Sequence, residues 1–446
     1  MKILFVTEKP EPWLNYIWSQ FVLVNGLKAE YHFASYGDVL NGGDFDDRTL
    51  LIEYAENQKL PTSLFLFKRN KYRVNFYVWL KNKLPVYVDS MSKSFGRVKY
   101  DLLYNAFVHL SRIEEWRLEQ EGKNIKSYAS KHPLKDKQIW MIPIVNYLFN
   151  ELESKIKKHH PLVSFASYQK PVIEFSHDVD YLYKTLQLRI KHTAFNIYNV
   201  IKLFSSFQFK RSHEKVRSSL KFATSSSNYW QCFDRWKRVE ENAQIKSVFY
   251  FYAGRSKRYG LTKWLIDPSY EVIEDPRLVG KIRELRDSGN KIGIHGSFFS
   301  AVHQDIFDDE KLRLEKCIGE QITKNRQHWL NYFESHTPYF HKRSGIKEDS
   351  SLGFNDIPGF RAGIASKYQP YDHISQQAFP FFEIPLVLMD SHLHDYSGFK
   401  SECDFLFKYQ SVVKKYVVSV DWHLRTIHPE YSWEKSYEKI MSDYRK

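Results

Sequence analysis

From residue 171 onward, short apolar runs alternate with segments of helical pattern, and this alternation constrains the fold more than any other feature of the chain. Strand-like runs at residues 247–252, 291–295, 381–389 and 416–422 are interspersed with helical patterns at 276–288 and 308–325. Parallel strands need long crossovers, and helices supply them, so the pattern predicts parallel β/α units arranged as a barrel or a doubly wound sheet. In both arrangements ligands gather at the carboxyl ends of the strands. The residues that close each apolar run are therefore where chemistry is expected.

The preceding part of the chain has a different character. It opens on a short ILFV strand and ends in helical stretches at 102–121 and 137–158. In the second stretch Ile139, Ile142, Val145, Leu148, Phe149 and Leu152 recur at three and four, as one buried helix face requires. A segment containing Pro161 and Pro171 then leads into PVIEFSHDVD. The expected organisation is an N-terminal accessory domain, residues 1–165, followed by a barrel, residues 166–446. With 446 residues, 43% hydrophobic and 26% charged, the chain is long enough for both, and a disordered or multi-spanning membrane protein is excluded.

No run approaches the ~18 apolar residues of a membrane span, and the opening apolar run is shorter than the ~7 to 15 residues of a secretory signal. Cys232, Cys317 and Cys403 are odd in number and show no C-x-x-C spacing. The expectation is a cytoplasmic protein with reduced thiols. Its formal net charge of +14 is concentrated: residues 189–221 hold eight basic residues and one acid, a net +7. Phe195, Ile197, Tyr198, Ile201, Phe204, Phe207 and Phe209 are interleaved with them. Such an insertion, at about 186–225, suits peripheral contact with an anionic membrane surface or a polyanion, or else a surface helix packed on the barrel. No recognisable nucleic-acid module accompanies the charge, which argues against nucleic acid as the partner.

Four run-ends carry candidate chemistry. In SHDVD, Asp178 and Asp180 stand two apart, so on a strand both point to one face while His177 and Val179 point to the other. Two neighbouring carboxylates repel unless a cation or proton separates them. KIGIHGSFFS ends its apolar run on His295. In NRQHW, Arg326 and His328 again share a face if the segment is extended. This permits Asp180, His295 and His328 to bind a divalent cation while Arg326 pairs with Asp178, a donor set suited to zinc or another first-row metal in hydrolysis. His303 is the other candidate third ligand if its stretch is a loop; on a helix it would lie about 12 Å along the axis from His295. VVSVDWHL ends on His423, placed as a general acid would be.

The order HDVD, IGIHGSF, RQHW, DSSLGF, GFRAG, EIPLVLMD and DWH resembles the polysaccharide deacetylase family, the carbohydrate esterases with the NodB homology domain. It is most similar to a branch with an uncharacterised N-terminal domain, whose helical end here would be FVHLSRIEEW. The resemblance implies an α/β fold: a distorted (β/α)7-type, NodB-like barrel preceded by a smaller α/β domain. It also implies an enzyme that removes acetyl groups from an N-acetylated sugar or polysaccharide with a metal, most simply zinc, held by one Asp and two His. Carried over by position, Asp178 matches the catalytic base, Asp180 and His295 metal ligands, Arg326 the arginine that orients the base, Asp349 the acidic residue of the fourth motif and His423 the general acid. Trp329, Trp422 and Phe299 are the candidate sugar-stacking rings, with Arg361 of GFRAG and Asp349 completing the substrate contacts.

The sequence departs from the family in two places. The second histidine of the usual H-x-x-x-H is Phe299 here, so that His328 or His303 must replace it. Val179 also separates the usually adjacent aspartates. Two rival readings share the barrel: a catalytically silent glycan-binding descendant, and an esterase or amidase acting on another acyl group. For the deacetylase reading the substrate expectation is an N-acetylated glycan, anionic or lipid-linked, of the cell envelope.

Overall fold

The computed structural model describes residues 2–40, 49–69, 76–80, 83–88, 100–207, 209–226, 228–255, 261–393, 399–431 and 433–445. Its contacts divide the chain into two compact units, both discontinuous. The first comprises Met1–Val172, Lys347–Val387 and Lys400–Val418; the second comprises Ile173–Ile346, Leu388–Phe399 and Ser419–Lys446.

The N-terminal sheet has four strands, β1 (Lys2–Val6), β2 (Glu30–Ala34), β3 (Thr49–Ala55) and β4 (Leu64–Phe67), in the order β2-β1-β3-β4. The pairings β1–β2, β1–β3 and β3–β4 are all parallel. The ILFV run is thus a strand, as its pattern predicts. The helix Pro12–Asn25 buries Leu14, Ile17, Trp18 and Phe21, with Trp18 edge-on to Phe5 of β1 at 5.4 Å. It stops at Gly26, whose φ of 62° supplies the left-handed turn that L side chains resist. A short antiparallel pair follows, β5 (Phe76–Trp79) with β6 (Pro85–Val88).

The main sheet has eight strands in the order β14-β11-β10-β9-β8-β7-β16-β15. They are β7 (Val172–Val179), β8 (Val248–Phe251), β9 (Lys291–Gly296), β10 (Lys324–Gln327), β11 (Glu348–Asp349), β14 (Phe382–Glu383), β15 (Leu386–Met389) and β16 (Val417–Asp421). A separate antiparallel pair, β12 (Tyr371–Asp372) and β13 (Gln377–Ala378), completes the strands. The pairings β7–β8, β8–β9, β9–β10 and β11–β14 are parallel, as the α/β reading expects, and the sheet has eight strands rather than seven.

Several predicted boundaries move, each for a local reason. The helix expected at 308–325 runs Gln304–Ile318 and ends at Gly319 with φ 79°, because residues 324–327 are needed as β10. The stretch 102–121 breaks into Leu102–Leu110 and Ile113–Gln120 at Arg112, whose φ is 48°. The stretch 137–158 becomes a 3-10 turn, Lys137–Met141, and a helix, Ile144–His159, because Pro143 cannot continue a helix. The run 381–389 splits into β14 and β15 around Ile384 and Pro385.

A candidate metal and acid–base site

The site lies within the second unit, at the carboxyl ends of β7, β9, β10 and β16. Parallel register places the donors: Arg326 of β10 pairs with His295 of β9, and Asp178 of β7 pairs with Tyr250 of β8. As the two-residue period requires, His177 faces away from Asp178. It is buried, with Nδ1 bonded to the Trp422 carbonyl at 2.6 Å and Nε2 to Glu240 at 2.8 Å.

Asp180, His295 and His328 form a buried triad able to hold a divalent ion. Asp180 Oδ1 lies 3.4 Å from His295 Nε2 and 3.4 Å from His328 Nδ1, and those two nitrogens are 3.0 Å apart. The opposite ring nitrogens settle the tautomers. His295 Nδ1 meets the Arg326 carbonyl at 2.9 Å and His328 Nε2 meets the Ile266 carbonyl at 3.1 Å. A carbonyl can only accept, so both of these nitrogens carry protons, and the lone pairs of both rings turn towards Asp180. Asp180 Oδ1 has no hydrogen bond and is fully buried. Three lone-pair donors facing one another require a positive charge among them, either a proton or a metal cation. The residues therefore fit a divalent metal on their own chemistry. Burial lowers the His328 pKa to about 3, which keeps that imidazole neutral and available as a ligand.

His328 reaches this position through an unusual turn. Trp329 and Leu330, directly after it, adopt φ of 59° and 50°, a left-handed conformation that bulky residues avoid. The chain bends sharply there and swings His328 back beside His295. His303, the other candidate, is exposed just ahead of the helix Gln304–Ile318.

Beside the triad sits an ionised carboxylate with a fixed guanidinium. Arg326 Nη1 donates to Asp178 Oδ1 at 3.0 Å, to Asp421 Oδ1 at 2.9 Å and to Ser176 Oγ at 2.7 Å, while Nη2 donates to Ser419 Oγ at 2.9 Å. The guanidinium also lies over the Tyr250 ring at 4.5 Å. Burial by itself would raise the Asp178 pKa, but His295, charged when a proton rather than a metal ion sits in the triad, and the Arg326 guanidinium outweigh it and hold the carboxyl below its usual range. Asp421 goes the other way: burial and the neighbouring Asp178 charge raise its pKa.

On the other side, His423 Nε2 lies 3.5 Å from Asp180 Oδ2, while its Nδ1 lies 3.1 Å from Asp390 Oδ1 and 3.4 Å from Asp421 Oδ2. Burial works against the imidazolium, yet the Asp390 carboxylate prevails and raises the His423 pKa to about 10. Arg425 Nη1 donates to Asp180 Oδ2 at 3.1 Å, so the second oxygen of that carboxylate is held as well. The arrangement thus contains a lone-pair triad, an ionised carboxylate and a protonated imidazole around one point.

No family profile matches the sequence, and no curated protein sequence matches it. Solved structures do. A protein assigned as a polysaccharide deacetylase from Mycobacterium smegmatis is 14% identical, with a TM-score of 0.37 over 63% of this chain and 86% of that one. The polysaccharide deacetylase of Bacillus cereus is 9% identical, with a TM-score of 0.29 over 61% and 88%. A CE4-family pseudoenzyme from Bacillus anthracis is also 9% identical, with a TM-score of 0.28 over 62% and 61%.

Six residues singled out in the sequence meet at one place: Asp178, Asp180, His295, Arg326, His328 and His423. The proposed sugar contacts fare differently. Trp329, 47% exposed, stands next to His328 with its ring open to solvent, and Phe299 opens the short turn Phe299–Ala301 in a half-buried position. Trp422 is fully buried, edge-on to Tyr437 at 5.2 Å with its indole N–H donated to Ser436, so it has no face to offer a sugar. Arg361 and Asp349 belong to the first unit. Arg361 is buried and bonded through Nε and Nη2 to Glu115, at 3.1 and 2.6 Å, with its fork satisfied by protein. Asp349 is buried, accepts from Ser351 at 2.7 Å, and neighbours Glu383. The sequence reading assigned no role to Asp390, Asp421 or Arg425. Asp390 had one available signal: it ends the EIPLVLMD run, as His423 closes VVSVDWH.

Proposed function

We propose that the protein is a metal-dependent hydrolase that removes N-acetyl groups from an N-acetylated sugar or polysaccharide. The observation that carries this reading is the convergence of the Asp180, His295 and His328 lone pairs between an ionised Asp178 and a protonated His423. A bound divalent ion, zinc suiting two imidazoles and a carboxylate, supplies Lewis acidity towards an acyl oxygen and acidifies water. Asp178, kept charged by Arg326, accepts the proton of the attacking water. His423, kept protonated by Asp390, gives its proton to the departing amine, since an amide nitrogen leaves poorly as an anion. Trp329 is the ring best exposed to stack on the sugar. The products are acetate and an amino sugar. The reading extends to a cytoplasmic role in cell-envelope glycan assembly, on anionic or lipid-linked substrates.

The test couples metal analysis with acetate release. Purified protein is expected to hold close to one divalent ion per chain and to release acetate from N-acetylated oligosaccharides. Chelation, His295→Ala or Asp180→Asn should abolish both. Acetate release undiminished in either variant would overturn the assignment, and release only from O-acetylated controls would redirect it to an esterase.

A further inference from the structure

The segment after β7 folds into a helical hairpin, Leu186–Ser205 and Phe209–Thr224, that buries Leu188 and Phe222 at its base but turns many of its other apolar side chains outward. Asn196, Asn199 and Ser212 are buried, and Ser212 Oγ donates to the Val200 carbonyl of the facing helix at 3.3 Å. Leu186, Ile190, Ile197, Ile201 and Phe204 are exposed, by 44% to 67%. At 3.6 residues per turn these five fall within an arc of about 60° on the first helix, a continuous apolar stripe. On the second helix Phe209, Val216 and Leu220 are exposed within an arc of about 40°. Three rings crown the tip: Phe204 and Phe207 are 62% and 82% exposed, with Phe209 at 5.2 and 6.1 Å from them.

The base of this hairpin is firmly tied. Lys184 pairs with Glu430 at 2.5 Å and lies 3.9 Å over the Phe222 ring, while Lys191 donates to the Ile266 carbonyl at 2.8 Å. A hairpin held this way with its apolar side outward has not merely failed to pack.

We infer that the hairpin docks on an anionic lipid bilayer, its apolar stripes and phenylalanine tip entering the headgroup–acyl boundary. Charge selects this occupant. Residues 189–221 carry a net +7, and exposed Lys210 and Arg217 immediately follow Phe209 and Val216 at the edge of the stripe. Basic side chains flanking an apolar face match anionic headgroups. A second copy of the chain would set +7 against +7. The described helices include none long and apolar enough to cross a membrane, so the contact is peripheral. The Ile266 carbonyl that anchors Lys191 also receives His328 Nε2–H, which puts the base of the hairpin beside the metal triad. Resting on the deacetylase reading, this geometry favours substrate presented at the membrane surface, a lipid-linked acetylated sugar.

Vesicle co-sedimentation of the full chain tests the docking without any assay of activity. Binding is expected to vesicles of phosphatidylglycerol and phosphatidylcholine in equal parts, weakened by salt, with little to phosphatidylcholine alone. Two variants, Ile197→Ser with Ile201→Ser and Phe204→Ser, and Lys210→Glu with Arg217→Glu, should each bind roughly tenfold or more weakly. Both should keep the wild-type melting temperature and metal content, since every substituted side chain is exposed. Wild-type protein that ignores both vesicles, or variants that bind like wild type, would overturn the inference. So would a lipid-free dimer, seen by analytical ultracentrifugation, that the serine variant dissociates. Loss of deacetylase activity with vesicle binding intact would leave the docking standing and remove only its link to a lipid-linked substrate.

Discussion

Asp390 is the residue that keeps His423 protonated. Its carboxylate stabilises the imidazolium in the folded protein, and its own pKa is lowered in return against the effect of burial. Because the folded His423 pKa, about 10, lies above the ordinary histidine value near ~6.5, the pair contributes stability in full below that ordinary value. The contribution fades as pH rises towards 10. Asp390→Asn is therefore expected to lower the melting temperature most near pH 6, with the gap to wild type narrowing under alkaline conditions. The alkaline limb of acetate release should move to lower pH in the same variant, read from a pH–rate profile. At Asp178 the expected effect is on chemistry and not on loading: Asp178→Asn should retain metal, measured by elemental analysis, while losing turnover by about 10²-fold or more, the scale of a missing general base. These roles follow from what each side chain touches. The six clustered residues could be picked out in the sequence by type and spacing, whereas the run-end position of Asp390 and Asp421 did not say what they face, because a carboxylate at a strand end looks alike whether it faces a histidine or water, and Arg425 ends no apolar run.

Among the elements, β10 has the least strand-like sequence and the most consequence. Its residues are Lys324, Asn325, Arg326 and Gln327, all buried. Hydropathy gives no reason to bury them; partners do. Lys324 pairs with Glu174 at 2.7 Å, Asn325 contacts His341 at 3.1 Å, and Arg326 makes the four bonds described above. A helix drawn through 308–325 by apolar spacing overruns this strand for that reason. The neighbouring β9 shows how tightly the layer is packed. A Cβ at Gly293 would meet the Tyr250 ring at 2.5 Å and the Lys324 carbonyl at 3.2 Å. Gly293→Ala is expected to cost about 1–3 kcal/mol in urea unfolding, as overpacked cores do, and to lower turnover by moving Tyr250 against the Arg326 guanidinium.

For the molecule as a whole, the compact units do not follow a cut at residue 165. The first unit takes back 347–387 and 400–418, and its internal bonds tie those segments to the N-terminal part. Arg361 pairs with Glu115, Lys414 with Glu153 at 2.7 Å, and the Ala365 amide donates to Asn146 Oδ1 at 2.8 Å. Burial would raise the Glu115 pKa, but Arg361 keeps it lowered, so Glu115→Gln leaves a buried cation short of its counter-charge. That change should destabilise by about 3–5 kcal/mol in denaturant unfolding. A fragment of residues 166–446 would lose these partners together and is expected to lack cooperative unfolding by near-UV circular dichroism. The sequence by itself determined the parallel β/α class, the candidate site residues and the basic amphipathic insertion, since each is written in short-range spacing. Tertiary structure alone decided that His328 faces His295, that Trp422 is core and that Asp390 holds His423, because those relations join residues far apart in the chain through strand register and a strained turn, and no local pattern encodes them.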